Sequence, residues 1–316
     1  MEDMKLKQEF LSVVNDIKSL NIQGATAIAV EGINAFSKYS QGLKINEYDT
    51  FYRYILEAKR LLFNTRPTEP ALRNGLKKIF FDLRKKNEDN VESAKITINK
   101  SATEYIELLK STKKKIIQFG SHRISDGTTV MTHCHSSLAS ETIIEAFNMG
   151  KSIQAICTET RPRYQGRKTA KELISAGIPT TMVVDSAMRW AIKRMRIDVI
   201  FTGCDAITSE GTIINKIGTR LLALAAKESD VPLYVLSSLL KFDADTSIGK
   251  TTIIEMRSPD EVWPDRPQGL QILNPAFETV SREYIDAIIT EKGLFPPEIV
   301  MNIIKETYPF VFVSDE

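Results

Sequence analysis

The stretch TVMTHCHSSLASETIIEAF, residues 129–147, joins a short apolar strand pattern to a helical one. Apolar runs of the same kind recur at 153–158, 180–184, 199–202 and 233–236, with helical stretches between them. Gly150 and Gly177 stand where two of these helices should end. Strands that alternate with helices are typical of a mostly parallel sheet with helices on both faces, so we predict an α/β fold here.

The first part of the chain has a helical rhythm instead. Apolar residues recur at helical spacing over residues 10–20, 25–36, 51–63, 72–83 and 102–117, with a charged loop at 84–91. We therefore predict two domains. A helical domain covers residues 1–115, and an α/β domain covers residues 116–316.

The composition restricts the functional classes. In 316 residues, 42 Lys and Arg balance 40 Asp and Glu, which argues against a nucleic-acid partner. The N-terminus lacks a signal-peptide core, and no apolar run approaches the roughly 18 residues that a membrane span needs, so no membrane partner is expected. Three cysteines without paired spacing argue against a disulfide framework and predict a reducing, cytoplasmic environment.

Ligands of parallel sheets bind beyond the carboxyl ends of the strands, so the residues there are candidates. Cys134 follows the first strand, and Ser136 or Ser137 would cap the next helix. The helix dipole and free amides should then favour the thiolate of Cys134. Alternation along the strand points Cys134 away from His133 and His135, which argues against a metal site. The alternative is a small buried thiol.

The second and fourth strands are also followed by polar residues. The loop at 159–168 contains Arg161 and Gln165 among several donors that suit a phosphorylated or polyhydroxylated ligand. A loop of solvated cations would explain the same residues. Asp205 follows the fourth strand, where a carboxylate can act as a general acid or base, or only cap a turn.

Further cations lie at the same predicted edge. Asn215 and Lys216 stand directly before a predicted helix, where side chains and free amides would cradle a phosphate. Lys241 follows the fifth strand. Residues 244–251 nearly spell a nucleotide P-loop, but Ala244 stands where glycine is required. The chain also contains no G-x-G-x-x-G, so no dinucleotide site is predicted.

Six motifs occur in order along nearly the whole chain. They are Ile22-Gln23-Gly24-Ala25, Thr65-Arg66-Pro67-Thr68, Thr132-His133-Cys134-His135-Ser136, Glu159-Thr160-Arg161-Pro162, Asp185-Ser186 and Asn215-Lys216-Ile217-Gly218-Thr219. As a set they resemble the superfamily that holds methylthioribose-1-phosphate isomerase, archaeal ribose-1,5-bisphosphate isomerase and the α, β and δ subunits of translation initiation factor 2B. Within it, the chain is most similar to the archaeal isomerases.

This resemblance implies a helical N-terminal domain and a Rossmann-like domain, assembled into dimers or a hexamer. It implies conversion of ribose-1,5-bisphosphate to ribulose-1,5-bisphosphate without metal or cofactor, in which Cys134 removes a proton and Asp205 returns one. The substrate contacts of the family correspond to Gln23, Gly24, Ala25, Arg66, Ser136, Ser137, Asn215, Lys216 and Lys241.

Two alternatives stay open: methylthioribose-1-phosphate isomerase, and a non-catalytic subunit similar to those of initiation factor 2B. Such subunits lack the cysteine and aspartate pair, so Cys134 and Asp205 favour an enzyme. Lys241 favours a second phosphate over an apolar methylthio group. One residue departs from the family pattern, because Gln23 stands where the family usually has arginine. The loss of that guanidinium removes a charge-assisted phosphate contact. Candidate replacements are Arg66 and the loop with Arg161, Arg163, Arg167 and Lys168.

Overall fold

The computed structural model describes residues 2–66 and 68–313, with side chains from residue 4 onward, so Pro67 of the second motif lies outside the described residues. The α-helices in these ranges are α1 (Glu2–Lys18), α2 (Ala25–Gly42), α3 (Tyr48–Phe63), α4 (Pro70–Lys85), α5 (Val91–His122), α6 (Ser137–Asn148), α7 (Gln165–Ser175), α8 (Met188–Arg194), α9 (Thr219–Glu228) and α10 (Val300–Thr307). The strands are β1 (Thr129–Thr132), β2 (Gln154–Thr158), β3 (Thr180–Val183), β4 (Val199–Gly203), β5 (Ala206–Ile207), β6 (Ile213–Lys216), β7 (Leu233–Leu236), β8 (Phe277–Val280), β9 (Ala287–Thr290) and β10 (Gly293–Phe295).

The chain divides into two compact units. The first takes the described residues of Met1–Ser111, Leu240–Ala244 and Ile304–Glu316, and the second takes Thr112–Leu239 and Asp245–Ile303. These differ from the predicted domains, since two later segments join the helical unit. Asn74 on α4 explains part of the difference, because its Nδ2 donates to the carbonyls of Leu240 at 2.8 Å and Phe242 at 2.9 Å. Such long-range contacts leave no local signal in the sequence.

The first unit is built from helices packed through buried apolar side chains. Phe36, Ile33 and Tyr105 are fully buried. Gly75 on α4 permits the close packing, because a Cβ there would lie 2.6 Å from the Tyr105 ring. Tyr105 also donates from its hydroxyl to the carbonyl of Ala71 at 2.6 Å, which satisfies the one polar atom of this buried ring. Among the described residues, no helix has the length and apolar character of a membrane span.

The second unit contains a seven-stranded sheet in the order β10-β9-β7-β4-β1-β2-β3. Neighbouring strands run parallel except β9 and β10. Its core includes Val130, Ala155, Phe201 and Leu236. From β1 the chain winds to one side through β2 and β3, and from β4 it winds to the other through β7 and β9. The sheet confirms the predicted α/β class, and its topological switch point lies between β1 and β4.

A second, antiparallel sheet of β5, β6 and β8 was not predicted. β6 includes Asn215 and Lys216, which we had predicted to lie directly before a helix. They pair across the sheet with Glu278 and Phe277. α9 follows directly, with Gly218 as its N-cap at a φ of 100°, a left-handed conformation that glycine adopts without strain. The sheet therefore presents Asn215 and Lys216 on fixed backbone rather than on a loop.

Candidate active site

Cys134 lies in the turn between β1 and α6 with a φ of 66°, in the left-handed region that is unfavourable for a residue with a Cβ. Two hydroxyls hold this backbone. Its N–H donates to Thr160 Oγ1 at 3.0 Å, and its carbonyl accepts from Thr169 Oγ1 at 2.9 Å. Strained backbone persists where the surrounding structure over-determines it, and such residues cluster at functional sites.

The Cys134 thiol is protonated near neutral pH. Burial raises its pKa to about 11, Lys216 opposes the increase, and the carboxylates of Asp205 and Asp185 add to it. The expectation that the start of α6 makes Cys134 a thiolate near neutral pH is therefore wrong. The cost of desolvating a thiolate outweighs the favourable field of the helix and of the ammonium.

Asp205 follows β4, the strand next to β1 in the sheet. Its N–H donates to the carbonyl of Ile214 at 2.8 Å, which fixes the turn. Gly203 lets this segment approach the start of α6, because a Cβ there would lie 2.8 Å from Ser136 Cβ. The carboxylate also acts on the pKa of Cys134. Cys134 and Asp205 thus both follow strands at the switch point of the sheet, where doubly wound folds bind their ligands.

Asn215 and Lys216 are buried on β6. Asn215 Nδ2 donates to the hydroxyls of Thr202 and Thr219, each at 3.0 Å, so its amide orientation is fixed. The Lys216 ammonium lies 4.8 Å from the centre of the Phe277 ring, in cation–π geometry. The site therefore contains one buried cation on rigid backbone beside the candidate base.

The start of α9 is not an open anion cradle, contrary to the sequence expectation. Glu278 Oε1 accepts from Gly218 N–H at 2.6 Å and from Arg220 N–H at 3.0 Å. A carboxylate therefore occupies the amides that the sequence assigned to a phosphate. The expectation was wrong because β8 carries Glu278 from far along the chain into the second sheet. The side chain of Lys216 is therefore the candidate phosphate donor of this segment, whereas both amide hydrogens of Asn215 are bound within the protein and its Oδ1 can only accept, as from a hydroxyl of the ligand.

The start of α6 differs, since its cap is neutral. Ser136 is the N-cap, and its Oγ accepts from Ala139 N–H at a long 3.4 Å. Ser137 opens the helix, and both serines are partly exposed. Hydroxyls at the positive end of a helix dipole suit an anion. This end of α6 retains the capacity for a phosphate that Glu278 removes from α9.

The loop after β2 has a fixed backbone. Asp185 accepts from the N–H groups of Thr160 at 2.8 Å and Arg161 at 2.7 Å. The guanidinium of Arg161 is bound within the protein, donating to the carbonyl of Val262 at 3.0 Å. Gln165 opens α7, and among the described residues its buried Oε1 has no hydrogen-bond partner. Of the two predicted loop contacts, Gln165 is the better placed for a ligand.

Five predicted contacts lie in the first unit. Gln23 is exposed, and its Nε2 donates to the carbonyl of Leu20 at 2.7 Å, so it braces the turn between α1 and α2. Gly24 is the N-cap of α2 at a φ of 89°, and Ala25 opens that helix. The first motif therefore forms a helix start that no side chain caps.

The remaining two contacts are cations. Arg66 is buried, with its Nη2 at 3.7 Å from Glu69 Oε1. Lys241 ends a short 3-10 turn, Leu239–Lys241, and is partly exposed. Of the predicted site residues, the second unit contains Cys134, Asp205, Ser136, Ser137, Arg161, Gln165, Asn215 and Lys216, and the first unit contains Gln23, Gly24, Ala25, Arg66 and Lys241.

Some residues that the sequence analysis did not single out hold the backbone of Cys134 by hydrogen bonds. Thr160 and Thr169 hold its backbone, and Asp185 holds the turn that carries Thr160. Thr160 and Asp185 both belong to the six sequence motifs, and this membership was the signal by which they could have been predicted. In the described part of the chain, no group of three His, Cys, Asp or Glu is arranged to hold a metal ion.

Comparison with known proteins covers nearly the whole chain. The model of the initiation factor 2 subunit family matches residues 21–297. The ribose 1,5-bisphosphate isomerase of Pyrococcus furiosus is 39% identical over 312 residues, 96% of this chain and 96% of that protein. A methylthioribose-1-phosphate isomerase of a Thermoanaerobacter species is 34% identical over 304 residues, 92% of this chain and 88% of its own length.

A solved structure shares the fold. The translation initiation factor eIF-2B of Pyrococcus horikoshii superposes with a TM-score of 0.79 at 26% identity, covering 91% of this chain and 97% of its own. The family model matches far more than half of the residues, and the sequence relatives exceed 30% identity over almost the full length. This chain therefore belongs to the initiation factor 2 subunit family.

Proposed function

We propose that this chain is an aldose–ketose isomerase that converts ribose 1,5-bisphosphate to ribulose 1,5-bisphosphate. The observation that carries the proposal is the placement of Cys134 and Asp205 directly after the neighbouring strands β1 and β4, where the Asp205 carboxylate acts on the pKa of Cys134. The named function of the Pyrococcus furiosus relative supports the choice of substrate.

The reaction moves hydrogen from C2 to C1 of the opened sugar. Asp205, protonated, donates to the ring oxygen as the ring opens, and Cys134, as thiolate, removes the C2 proton to form an enol. Cys134 then returns its proton to C1, while the Asp205 carboxylate accepts the proton of the C2 hydroxyl and the ketone forms. These proton transfers require the thiolate of Cys134. Lys216 favours that form, since its charge lowers the pKa of Cys134.

The substrate's phosphates provide the binding energy that positions C1 and C2. Lys216, Asn215, Gln165 and the serines at the start of α6 are the phosphate and hydroxyl contacts of the second unit in this proposal. The predicted contacts Gln23, Gly24, Ala25, Arg66 and Lys241 rest on the family resemblance, with Arg161 a weaker candidate because the protein occupies its guanidinium.

The decisive experiment is an assay of the purified protein on ribose 1,5-bisphosphate and on methylthioribose-1-phosphate, with the products identified by NMR. We expect turnover of the bisphosphate and little turnover of the second sugar. Cys134→Ser, prepared in parallel, excludes a contaminating isomerase. Equal turnover of the two sugars contradicts the substrate assignment. Turnover of neither contradicts the enzyme and favours a non-catalytic subunit.

We also propose that the chain associates with itself, as a dimer or a hexamer. Val184, Trp190, Leu221 and Leu224 expose 57%, 57%, 50% and 43% of their surface, which is unusual for side chains of this size on adjoining elements of one unit. Trp190→Glu should reduce the mass that light scattering reports after size exclusion. A monomeric wild-type protein contradicts this proposal.

A further inference from the structure

A row of hydrogen bonds runs from the backbone of Cys134 to the carbonyl of Ile217. The Cys134 N–H donates to Thr160 Oγ1 at 3.0 Å. Thr160 Oγ1 lies 3.3 Å from Thr158 Oγ1, which lies 2.6 Å from His133 Nδ1. On the other side of the imidazole, His133 Nε2 lies 2.9 Å from the oxygen of Ile217.

The chemistry of these groups gives the row a single direction. A carbonyl oxygen only accepts, so the Nε2 that faces Ile217 carries a hydrogen. Burial lowers the pKa of His133, so the imidazole is neutral and its Nδ1 is an acceptor. The Thr158 hydroxyl must then donate to Nδ1, and it receives the hydrogen of the Thr160 hydroxyl. A lone pair of Thr160 is left facing the Cys134 N–H, so each donor meets one acceptor.

Water cannot replace these bonds. The exposed fractions of Thr158, Thr160 and His133 are 0%, 0% and 1%. A broken bond would leave a buried polar group without a partner. The imidazole is also wedged against Gly218, where a Cβ would lie 2.9 Å from the ring. The row therefore connects the turn that carries Cys134 to the segment that directly follows Lys216.

We infer that His133, Thr158 and Thr160 are positioning residues. They hold the left-handed backbone of Cys134 and fix the position of its sulfur relative to Lys216. The inference rests on the proposed function, because it assigns these residues to proton transfer by Cys134. They act through Cys134 and do not contact the substrate. Misplacement of a reacting group by about 1 Å can cost roughly a hundredfold in rate, so such a support has a large effect.

The first test removes one hydroxyl. Thr160→Val keeps the shape but leaves the Cys134 N–H without its acceptor, and kcat should decrease at least about tenfold while KM changes less than about twofold. Thr160→Ser retains the hydroxyl and should restore most of kcat. The matched control is Thr142→Val, since Thr142 is equally buried and its hydroxyl has no partner among the described residues. A Thr160→Val variant as active as this control overturns the inference.

The second test asks whether the residues act as one unit. Thr158→Val alone should reduce kcat about as much as Thr160→Val, and the double variant should be no worse than either, because the row is already broken. Losses that multiply in the double variant contradict a single row.

The third test needs no variant and no turnover. The chain has only three histidines, so long-range proton–nitrogen correlations of histidine-labelled protein can resolve His133. We expect hydrogen on Nε2 and a bare Nδ1; a hydrogen on Nδ1 overturns the inference. If the wild-type protein isomerises neither sugar, the proposed function fails. The tautomer and the rate of Cys134 alkylation in Thr160→Val against Thr142→Val still decide this inference.

Discussion

The starts of α6 and α9 look alike in the sequence and differ in the structure. Each follows a strand, and each was expected to offer free amides to an anion. At α9 the Glu278 carboxylate accepts from two of those amides, at 2.6 and 3.0 Å. At α6 the cap is the hydroxyl of Ser136, 3.4 Å from its amide. A helix start that already holds a carboxylate repels a phosphate, whereas one capped by a neutral hydroxyl attracts it.

The difference teaches that a helix start must be judged by its cap. α9 supports the rigid segment that carries Asn215 and Lys216, and its dipole is satisfied by the protein itself. The start of α6 lies beside Cys134 and near the segment of Asp205, as the close approach of Gly203 to Ser136 indicates. We therefore place the chemistry and an anion at α6, and structural support at α9. The predictions below test this division.

The largest effect should follow the loss of the base beside α6. Cys134→Ser should reduce kcat at least about a hundredfold, because a hydroxyl is a far weaker base than a thiolate. Folding should survive, since the left-handed turn is held through backbone atoms that serine retains. Steady-state kinetics and thermal unfolding measure the two expectations. Activity close to that of the wild type would exclude Cys134 from the mechanism.

Asp205→Asn should have the next largest effect on turnover. The amide keeps the shape of the side chain but cannot exchange a proton, so turnover should collapse while substrate binding survives. Binding is measured by calorimetry on the inactive variant. Weak binding together with normal turnover would make Asp205 a binding residue instead.

The third prediction concerns pH. Burial raises the pKa of Cys134 from its ordinary 9.0 to about 11, so its rate of alkylation by iodoacetamide should increase about tenfold per pH unit up to that value. The free energy of unfolding should change in the opposite direction and decrease as the pH rises. The folded protein retains the proton longer than the unfolded chain, so the contribution is fully present below pH 9 and is lost as the pH rises toward 11. Cys134→Ser is the control in both measurements.

Lys216→Met sharpens that result. Removal of the ammonium takes away a charge that lowers the pKa of Cys134, so the alkylation profile should move to higher pH. An unchanged profile would separate Lys216 from the thiol and leave it only a role in binding.

The part of the site that sequence could predict is the part carried by local pattern. The strand that precedes Cys134 and the helix that follows it are contiguous, so their junction was visible, as was the position of Asp205 after β4. The antiparallel sheet escaped prediction because β8 pairs with β6 from more than sixty residues away along the chain, and only this pairing brings Glu278 to α9. The protonated thiol escaped too, since desolvation depends on packing that no local pattern encodes.

The next prediction tests α9 directly. Glu278→Gln removes the charge that caps the helix, which should cost about 1 kcal/mol and lower the melting temperature by a few degrees. KM should change by less than about threefold, because no substrate phosphate binds there. Ser136→Ala is the matched variant at α6, where the long bond predicts a smaller loss of stability but a larger increase in KM. The reverse pattern would assign the phosphate to α9.

The smallest effect should come from substitution of Gln23, which lies directly before a third helix start, that of α2. Gly24 caps α2 without a side chain, and Gln23 braces the preceding turn by donating to Leu20 at 2.7 Å. An arginine at this position would add a charge-assisted contact to an anion at α2 but would give up that brace. If α2 resembles α6 in leaving its amides to a ligand, Gln23→Arg should lower KM for the bisphosphate a fewfold with kcat unchanged. Gln23→Leu, which loses the brace without adding charge, separates the two contributions. An unchanged or higher KM in Gln23→Arg, with Gln23→Leu equally affected, would mean that the start of α2 is organised around glutamine and, like α9, binds no phosphate.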